Sequence, residues 1–321
     1  MIRKTGRWLA AIVVGLTCAA DSVYAQGNSW QADHDAGWRA YQVGRFGDAL
    51  TQLRVAEKEA EAFGANDPRL ATTRDHLAWV LCALGKNAEG EALAKSGLSI
   101  REKTLGAEHA DVAKSLNTLA CLYDMAGKPE QSKPLYERCL ALAEKTYGND
   151  DLKVAAVLDN LGTVDHVLGK NDEAEAAYKR ALAIREKAPE SKPIDLAPTL
   201  YNLGLLDHDR GKHDAADPLL KRALEIREKT LGPDHPDVAA SLEALGNHYT
   251  KQGKTADAER ALKRALAIYE ATVGADSPDV ARCCNNMAKC CRAMGQPDVA
   301  KTLDTRANAI QEKHKHTHSP R

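Results

Sequence analysis

The cysteines and histidines are the residues whose chemistry would matter most. Cys283, Cys284, Cys290 and Cys291 fall within one stretch of helical periodicity. The spacings 283 to 290 and 284 to 291 are seven residues, about 10 Å along a helix. A disulfide holds its Cα atoms within about 7 Å, so those pairs do not bridge inside that helix. The cluster also lacks the Cys-x-x-Cys spacing of zinc and haem sites. Two readings stay open: small packing residues, since buried cysteine behaves as a small hydrophobe, or a redox or metal group. His166 and His208 stand 42 residues apart, each preceded by an aspartate, Asp165 and Asp207. On stacked helices they would lie about 10 Å apart. Zinc holds its ligands at about 2 Å, so no shared metal and no cofactor is expected. His109 and His235 fall in turn motifs and read as structural. His314, His316 and His318 alternate in the tail, as a solvated end or a weak metal-binding tract. A nucleophile, a general base and an oxyanion site appear in no motif, so the chain is not expected to be an enzyme.

The elements that must position these residues are repeats. Gly85, Gly127, Gly169, Gly211, Gly253 and Gly295 recur at intervals of 42, and Gly44 starts the series one residue off step. A fixed period of this size means stacked units, each too small to bury its own apolar face. In the unit from Asp237 to Gly274, Leu242, Leu245, Gly246 and Tyr249 recur at helical spacing, which predicts a first helix, A, over Val238 to Lys251. Gly253 suits the left-handed position that ends it, and Thr255 is expected to cap the next. Ala258, Leu262, Ala265 and Ile268 predict a second helix, B, ending near Val273-Gly274. Pro278 then holds its predecessor out of helix, and Asp279 is expected to cap the helix that follows. Gly246 and Ala258 are places where the two helices can approach closely. Gly162 and Ala174, Gly204 and Ala216, and Ala288 and Ala300 hold the same places. A large residue there, as in Ala174→Leu, is expected to cost about 1–3 kcal/mol.

This pattern resembles the tetratricopeptide repeat. The resemblance runs from Trp30 to about Lys313, through Leu203-Gly204, Ala216, Leu220 and Ala223, and again through Leu245-Gly246, Ala258, Leu262 and Ala265, with Tyr249 at the aromatic place. The step of 42 exceeds the family's usual value of roughly 34. With Ala223 to Leu242 and Ser99 to Lys128 it resembles the kinesin-light-chain subtype. The resemblance implies an all-α fold, an α-solenoid over residues 30–313 with about seven units coiled as a right-handed superhelix. It also implies a concave groove lined mainly by helix A. The Pro189 to Pro193 segment replaces a Leu-Gly turn, where a local bend is expected. The first and last units are atypical, and Asp304 sits where an apolar residue is expected.

Residues at steps of four and three share a helix face. On that basis the groove candidates are Trp38, Trp79, Asn117, His166, Tyr201, His208, Asn247, Lys289 and Arg292, and Asn160, Asn202 and Asn286 join them from a second register. His34, Tyr41, Asp75, Cys82, Cys121, Asp124, Asp159 and Glu243 share those registers. The face would be aromatic at its start, acidic and histidine-rich in the middle and basic at its end. Trp38 and Trp79 fit either groove or inter-repeat core. Asn160, Asn202 and Asn286 share one register, which Ala244 interrupts. An amide offers both donor and acceptor. Such a ladder either holds an extended peptide backbone, as in some tetratricopeptide proteins, or bonds the neighbouring helix.

Composition excludes several classes. The 321 residues are 44% hydrophobic and 28% charged, with a net charge of −1. That balance argues against nucleic acid and against docking on anionic lipid. Residues 1–25 have the form of an export signal: Arg3, Lys4 and Arg7, an apolar run from Trp8 to Leu16, and Val23-Tyr24-Ala25 for cleavage after Ala25. The run is shorter than the roughly 20 residues of a membrane span. The expectation is a periplasmic or secreted protein, without membrane insertion after cleavage, ending in a flexible segment at 314–321. Eight cysteines become seven after cleavage, an odd number that leaves a free thiol or an intermolecular bond. The leading reading is an exported scaffold binding a protein or peptide through its concave groove. The alternative is an accessory subunit of a cell-envelope assembly using its convex face or ends. A metal- or redox-active protein ranks third.

Overall fold

The computed structural model describes residues 29–317. The expected signal over 1–25 lies outside the described residues, as do 26–28 and 318–321. All regular structure among the described residues is helical, in 14 helices. The chain divides into two compact units after Lys170. In the first, α1 (Ser29–Gln42) packs on α2 (Phe46–Ala62), α3 (Pro68–Ala83) on α4 (Asn87–Leu105) and α5 (Ala110–Met125) on α6 (Pro129–Tyr147), and α7 (Leu152–Val167) closes the unit. The second opens with α8 (Asn171–Lys187). It continues with the pairs α9 (Pro193–Asp209) and α10 (His213–Leu231), α11 (Pro236–Lys251) and α12 (Thr255–Val273), and α13 (Pro278–Ala293) and α14 (Pro297–Thr317). The last helix therefore runs on into the segment read as a flexible tail. Among the described residues no helix is long and apolar enough to cross a membrane.

The periodic glycine is the turn inside each pair. After α11, Gly253 takes φ 74°, a left-handed conformation that costs a side-chain-bearing residue about 1–2 kcal/mol. That geometry lets the Lys254 N–H reach Tyr249 O at 2.9 Å and the Gly253 N–H reach Thr250 O at 3.2 Å, satisfying two carbonyls the helix leaves open. The turn is so short that Lys254, not Thr255, occupies the N-cap of α12, without a side-chain bond. The cap expected of Thr255 is therefore corrected: it is already the first helical residue. The cap expected of Asp279 is corrected as well. Pro278 is the first residue of α13 and holds Ser277 extended, so Ser277 Oγ accepts from the Val280 N–H at 3.3 Å. Asp279 instead pairs with Arg282 at 3.3 Å. His109 and His235 are N-caps: each Nδ1 accepts a backbone N–H two residues on, at 3.1 Å.

Pairs join to pairs through a buried arginine on helix B. Arg101 donates to Ser115, Arg185 to Thr199, and Arg227 to Ser241 at 2.7 Å. Each hydroxyl lies 14 residues on, in the following helix A. Where the register holds Ala143 or Tyr269 instead of arginine, the partner position holds Val157 or Cys283. Arginine and hydroxyl thus disappear together, and the Tyr269 hydroxyl finds Glu243 instead, as a buried site requires where an unpaired polar group costs about 1–3 kcal/mol. Successive B helices are laced on their outer side by Arg138 to Glu102, Arg222 to Glu186, Arg264 to Glu228 and Arg306 to Glu270.

The close approaches read from Gly204 and Gly246 are real. A Cβ on Gly246 would lie 2.5 Å from Leu262 Cγ, and one on Gly204 would lie 2.8 Å from Leu220 Cγ. The crowding atoms belong to leucines four residues beyond Ala216 and Ala258. All seven described cysteines are free and buried. Burial pushes the Cys82 thiol up to about 11, Cys139 up to about 12, and Cys283 above its ordinary value. Such thiols stay protonated, so the packing reading holds.

Candidate functional site

In the first unit the helix-A faces of the first two repeats build a column of rings. Trp30 stacks on His34 with centroids 5.1 Å apart, His34 on His76 at 4.7 Å, His76 on Trp38 at 3.9 Å and Trp38 on Tyr41 at 4.9 Å. The Trp30 indole N–H donates to Thr73 Oγ1 at 3.0 Å, which fixes the inner end. Trp38, Tyr41 and His76 are half-buried, so part of the column faces solvent. Burial holds His76 well below the ordinary histidine range and pushes Tyr41 up to about 12. His76 and Tyr41 are therefore uncharged at neutral pH. Trp79, by contrast, is only 3% exposed. It packs with Ala78, Cys82 and Leu119, which makes it core and not groove.

His76 went unread in the sequence, although a signal was there. It occupies the register of Thr118, Asn160, Asn202, Ala244 and Asn286. At three places this register ties a helix A to the one before it. The tie is ring on ring at His34 and His76. It is amide on amide where Asn160 Nδ2 donates to Asn117 Oδ1 at 3.1 Å. It is amide on carboxylate where Asn286 Nδ2 donates to Glu243 Oε1 at 2.7 Å. Of the two roles open to the ladder, Asn160 and Asn286 take the bond to the neighbouring helix. Asn160 keeps one buried acceptor, Oδ1, without a hydrogen-bond partner among the described residues.

The acidic middle expected of this face is largely neutralised. Asp75 is buried and paired with Arg101 and with the Ser115 hydroxyl, the latter at 2.8 Å. Asp124 accepts from the Tyr136 hydroxyl at 2.9 Å, and burial raises its pKa to about 6. The folded chain therefore keeps a proton on Asp124 that the unfolded chain releases near pH 4. Stability from this group falls as pH rises through roughly 4 to 6. Asp124→Asn is expected to raise the melting temperature at pH 7.5 and to have little effect at pH 3.5. An equal effect at both values would contradict this.

In the second unit Tyr201 is buried under the Arg227 guanidinium, 4.9 Å from its ring centroid. Asn202 and Asn247 are half-buried, as is His166 in the first unit. Lys289 is exposed and donates to Asn286 Oδ1 at 3.2 Å, while Arg292 pairs with Asp304. That pairing accounts for an acid at an otherwise apolar position. His208 is buried beside two histidines the sequence reading left apart, His213 and His248.

Paired helices, a left-handed glycine closing each turn and ties at one repeated register are features of stacked repeats. A profile of the tetratricopeptide repeat matches residues 69–145, 126–187, 195–271 and 247–313. The chain belongs to the tetratricopeptide repeat family. Such proteins are α-solenoids and generally non-catalytic scaffolds. Among solved structures, BtubC (BKLC) from P. vanneervenii is 27% identical, with 61% of this chain and 78% of that chain covered and a TM-score of 0.55. A putative kinesin light chain with nearly identical TPR-like repeats, from Podosopora anserina, is 25% identical over 64% of this chain and 98% of that one, at a TM-score of 0.53. The kinesin-light-chain-like character of the longer repeat agrees with both. A Rap protein complexed with competence and sporulation factor shares the fold, at 16% identity, 89% and 75% coverage and a TM-score of 0.65. A search of curated proteins finds no match.

Proposed function

We propose that this tetratricopeptide protein is an exported, non-catalytic scaffold that holds an extended peptide or protein segment on the helix-A face of its N-terminal repeats. The fold is one that takes protein or peptide partners. The observation that carries the choice of face is the half-exposed end of the ring column, Trp38, His76 and Tyr41. Flat, uncharged aromatic surface contributes strongly to binding for little entropy lost. The opposite face offers less, because its arginines and glutamates are engaged with each other across the B helices. The signal-like segment ending at Ala25 supports export, to the periplasm or beyond.

The experiment is a crosslinking pull-down from the native envelope fraction with the wild type and with Trp38→Ala/His76→Ala. The variant is expected to keep its helical circular dichroism and to lose the partner by at least about tenfold, the equivalent of one hot-spot residue or more. Equal capture by a folded variant would move the contact to the helix-B face or the ends, where an accessory subunit of an envelope assembly would make it.

A further inference from the structure

His248 occupies a register that elsewhere holds Val80, Leu122, Val164, Leu206 and Cys290, all buried. It is itself fully buried. An imidazole placed where the repeat calls for an apolar side chain is costly unless its nitrogens are used. His248 comes from the C-terminal part of α11. It meets His208 from the end of α9 and His213 from the first turn of α10. One ring nitrogen from each lies within 4.8 Å of the other two. His208 Nδ1 and His248 Nδ1 are 3.2 Å apart. A tetrahedral ion with bonds of about 2.0–2.1 Å places its ligand nitrogens about 3.3 Å apart, so this edge is already at coordination distance. His213 Nδ1 is buried and has no hydrogen-bond partner among the described residues.

The surroundings allow the tautomer that a metal needs. His248 Nε2 lies 2.8 Å from the Gln252 side-chain amide nitrogen, while Gln252 Oε1 is buried with no hydrogen-bond partner among the described residues. Turning that amide over, an assignment hydrogen positions decide, lets Oε1 accept from Nε2–H. Asp217 Oδ1 stands 4.0 Å from the same nitrogen and also lacks a hydrogen-bond partner among the described residues. A ring that donates through Nε2 to an amide or carboxylate presents its Nδ1 lone pair to a metal. His208, His213, Gln252 and Asp217 thus explain each other.

We propose that His208, His213 and His248 form a three-histidine site for a zinc-class divalent cation, with Gln252 and Asp217 orienting His248. Three imidazoles suit zinc and its borderline neighbours and leave a fourth position for water or a partner's carboxylate. The ion would tie the fifth helix pair, α9 and α10, to the sixth through α11. His213 sits half-buried at a helix start, with one ring nitrogen already within 4.8 Å of the other two.

The test uses the full purified chain, stripped with chelator and titrated with zinc sulfate against a chromophoric chelator. The expected result is one ion per chain, a rise in melting temperature on zinc addition, and four-coordinate visible absorption with cobalt(II). His213→Asn places at that position the residue α8 has, Asn171, and His248→Leu places there the residue α9 has, Leu206. Both keep the repeat's own chemistry and are expected to fold. Each should weaken zinc binding by at least about 100-fold, and Gln252→Leu by about 10–100-fold. Failure of the wild type to bind, or equal binding by the wild type and both histidine variants, would overturn the site. The second result would place the ion on His314, His316 and His318.

Discussion

Arg101→Ala is expected to lower unfolding free energy by about 3–5 kcal/mol, the cost of leaving a buried charge without its partner. Asp75 and Arg101 are each only 4% exposed. The carboxylate is wedged against α4 at Gly97, where an added Cβ would stand 2.7 Å from Asp75 Oδ1. It has no room to swing out to water. Burial raises the Asp75 pKa, and Arg101 is the largest influence opposing it. Without the arginine the folded chain holds the Asp75 proton to still higher pH. The unfolded chain releases that proton near pH 4. The variant's deficit should therefore grow as pH rises from 4 to 8. Adding Asp75→Asn should recover part of the loss, since the remaining group then carries no charge. Urea unfolding at the two pH values checks this. A single variant within about 1 kcal/mol of wild type, the range of exposed pairs, would contradict the buried-lock account.

Gly246→Leu is expected to lower the melting temperature through overpacking of about 1–3 kcal/mol or more. The position has space for hydrogen only: Leu262 Cγ and Cδ2 stand 2.5 and 2.9 Å from where a Cβ would be. Leu262 is itself fully buried in the core of its unit, among Ala258, Ala265 and Cys283. It has nowhere to retreat without displacing α12 from α11. Gly246→Ala should cost less, because it sets one methyl against Leu262 where leucine sets four carbons. A leucine variant that melts with the wild type would mean that α11 and α12 do not pack as described.

Much of this was legible because the repeat prints its architecture several times over. The periodic glycine gives the turn, and the small residues give the close faces. The capping residues were less legible. Thr255 and Asp279 have the right chemistry one or two residues from the right place. The short Gly-Lys turn pulls the first into the helix, and Pro278 hands the cap to Ser277. The asparagine register was visible from Asn160 onward. Its aromatic member, His76, was not, because the residue type changes there from amide to ring.

The histidine triad was hidden for a different reason. Aligning repeats pairs residues in equivalent places, and His166 with His208 is such a pair. His213 belongs to helix B and His248 sits two residues off the His208 register. Only the folded contact of α9, α10 and α11 brings them together. The one sequence signal was His248 itself, a polar residue in an apolar column of the alignment. Burial told a similar lesson for the groove. Trp79 and Tyr201 share the helix-A registers, yet both are used in packing, and only the half-exposed members remain for a partner.

The most direct test of the binding account is a photo-crosslinking amino acid placed at Tyr41, beside the open end of the ring column, or at Glu137, exposed on α6. Each variant would be expressed in the native host and irradiated in intact cells. The account predicts a discrete crosslinked adduct from position 41 that Trp38→Ala/His76→Ala abolishes, with none from position 137. An adduct from 137 and none from 41 would contradict it and give the helix-B face the binding role.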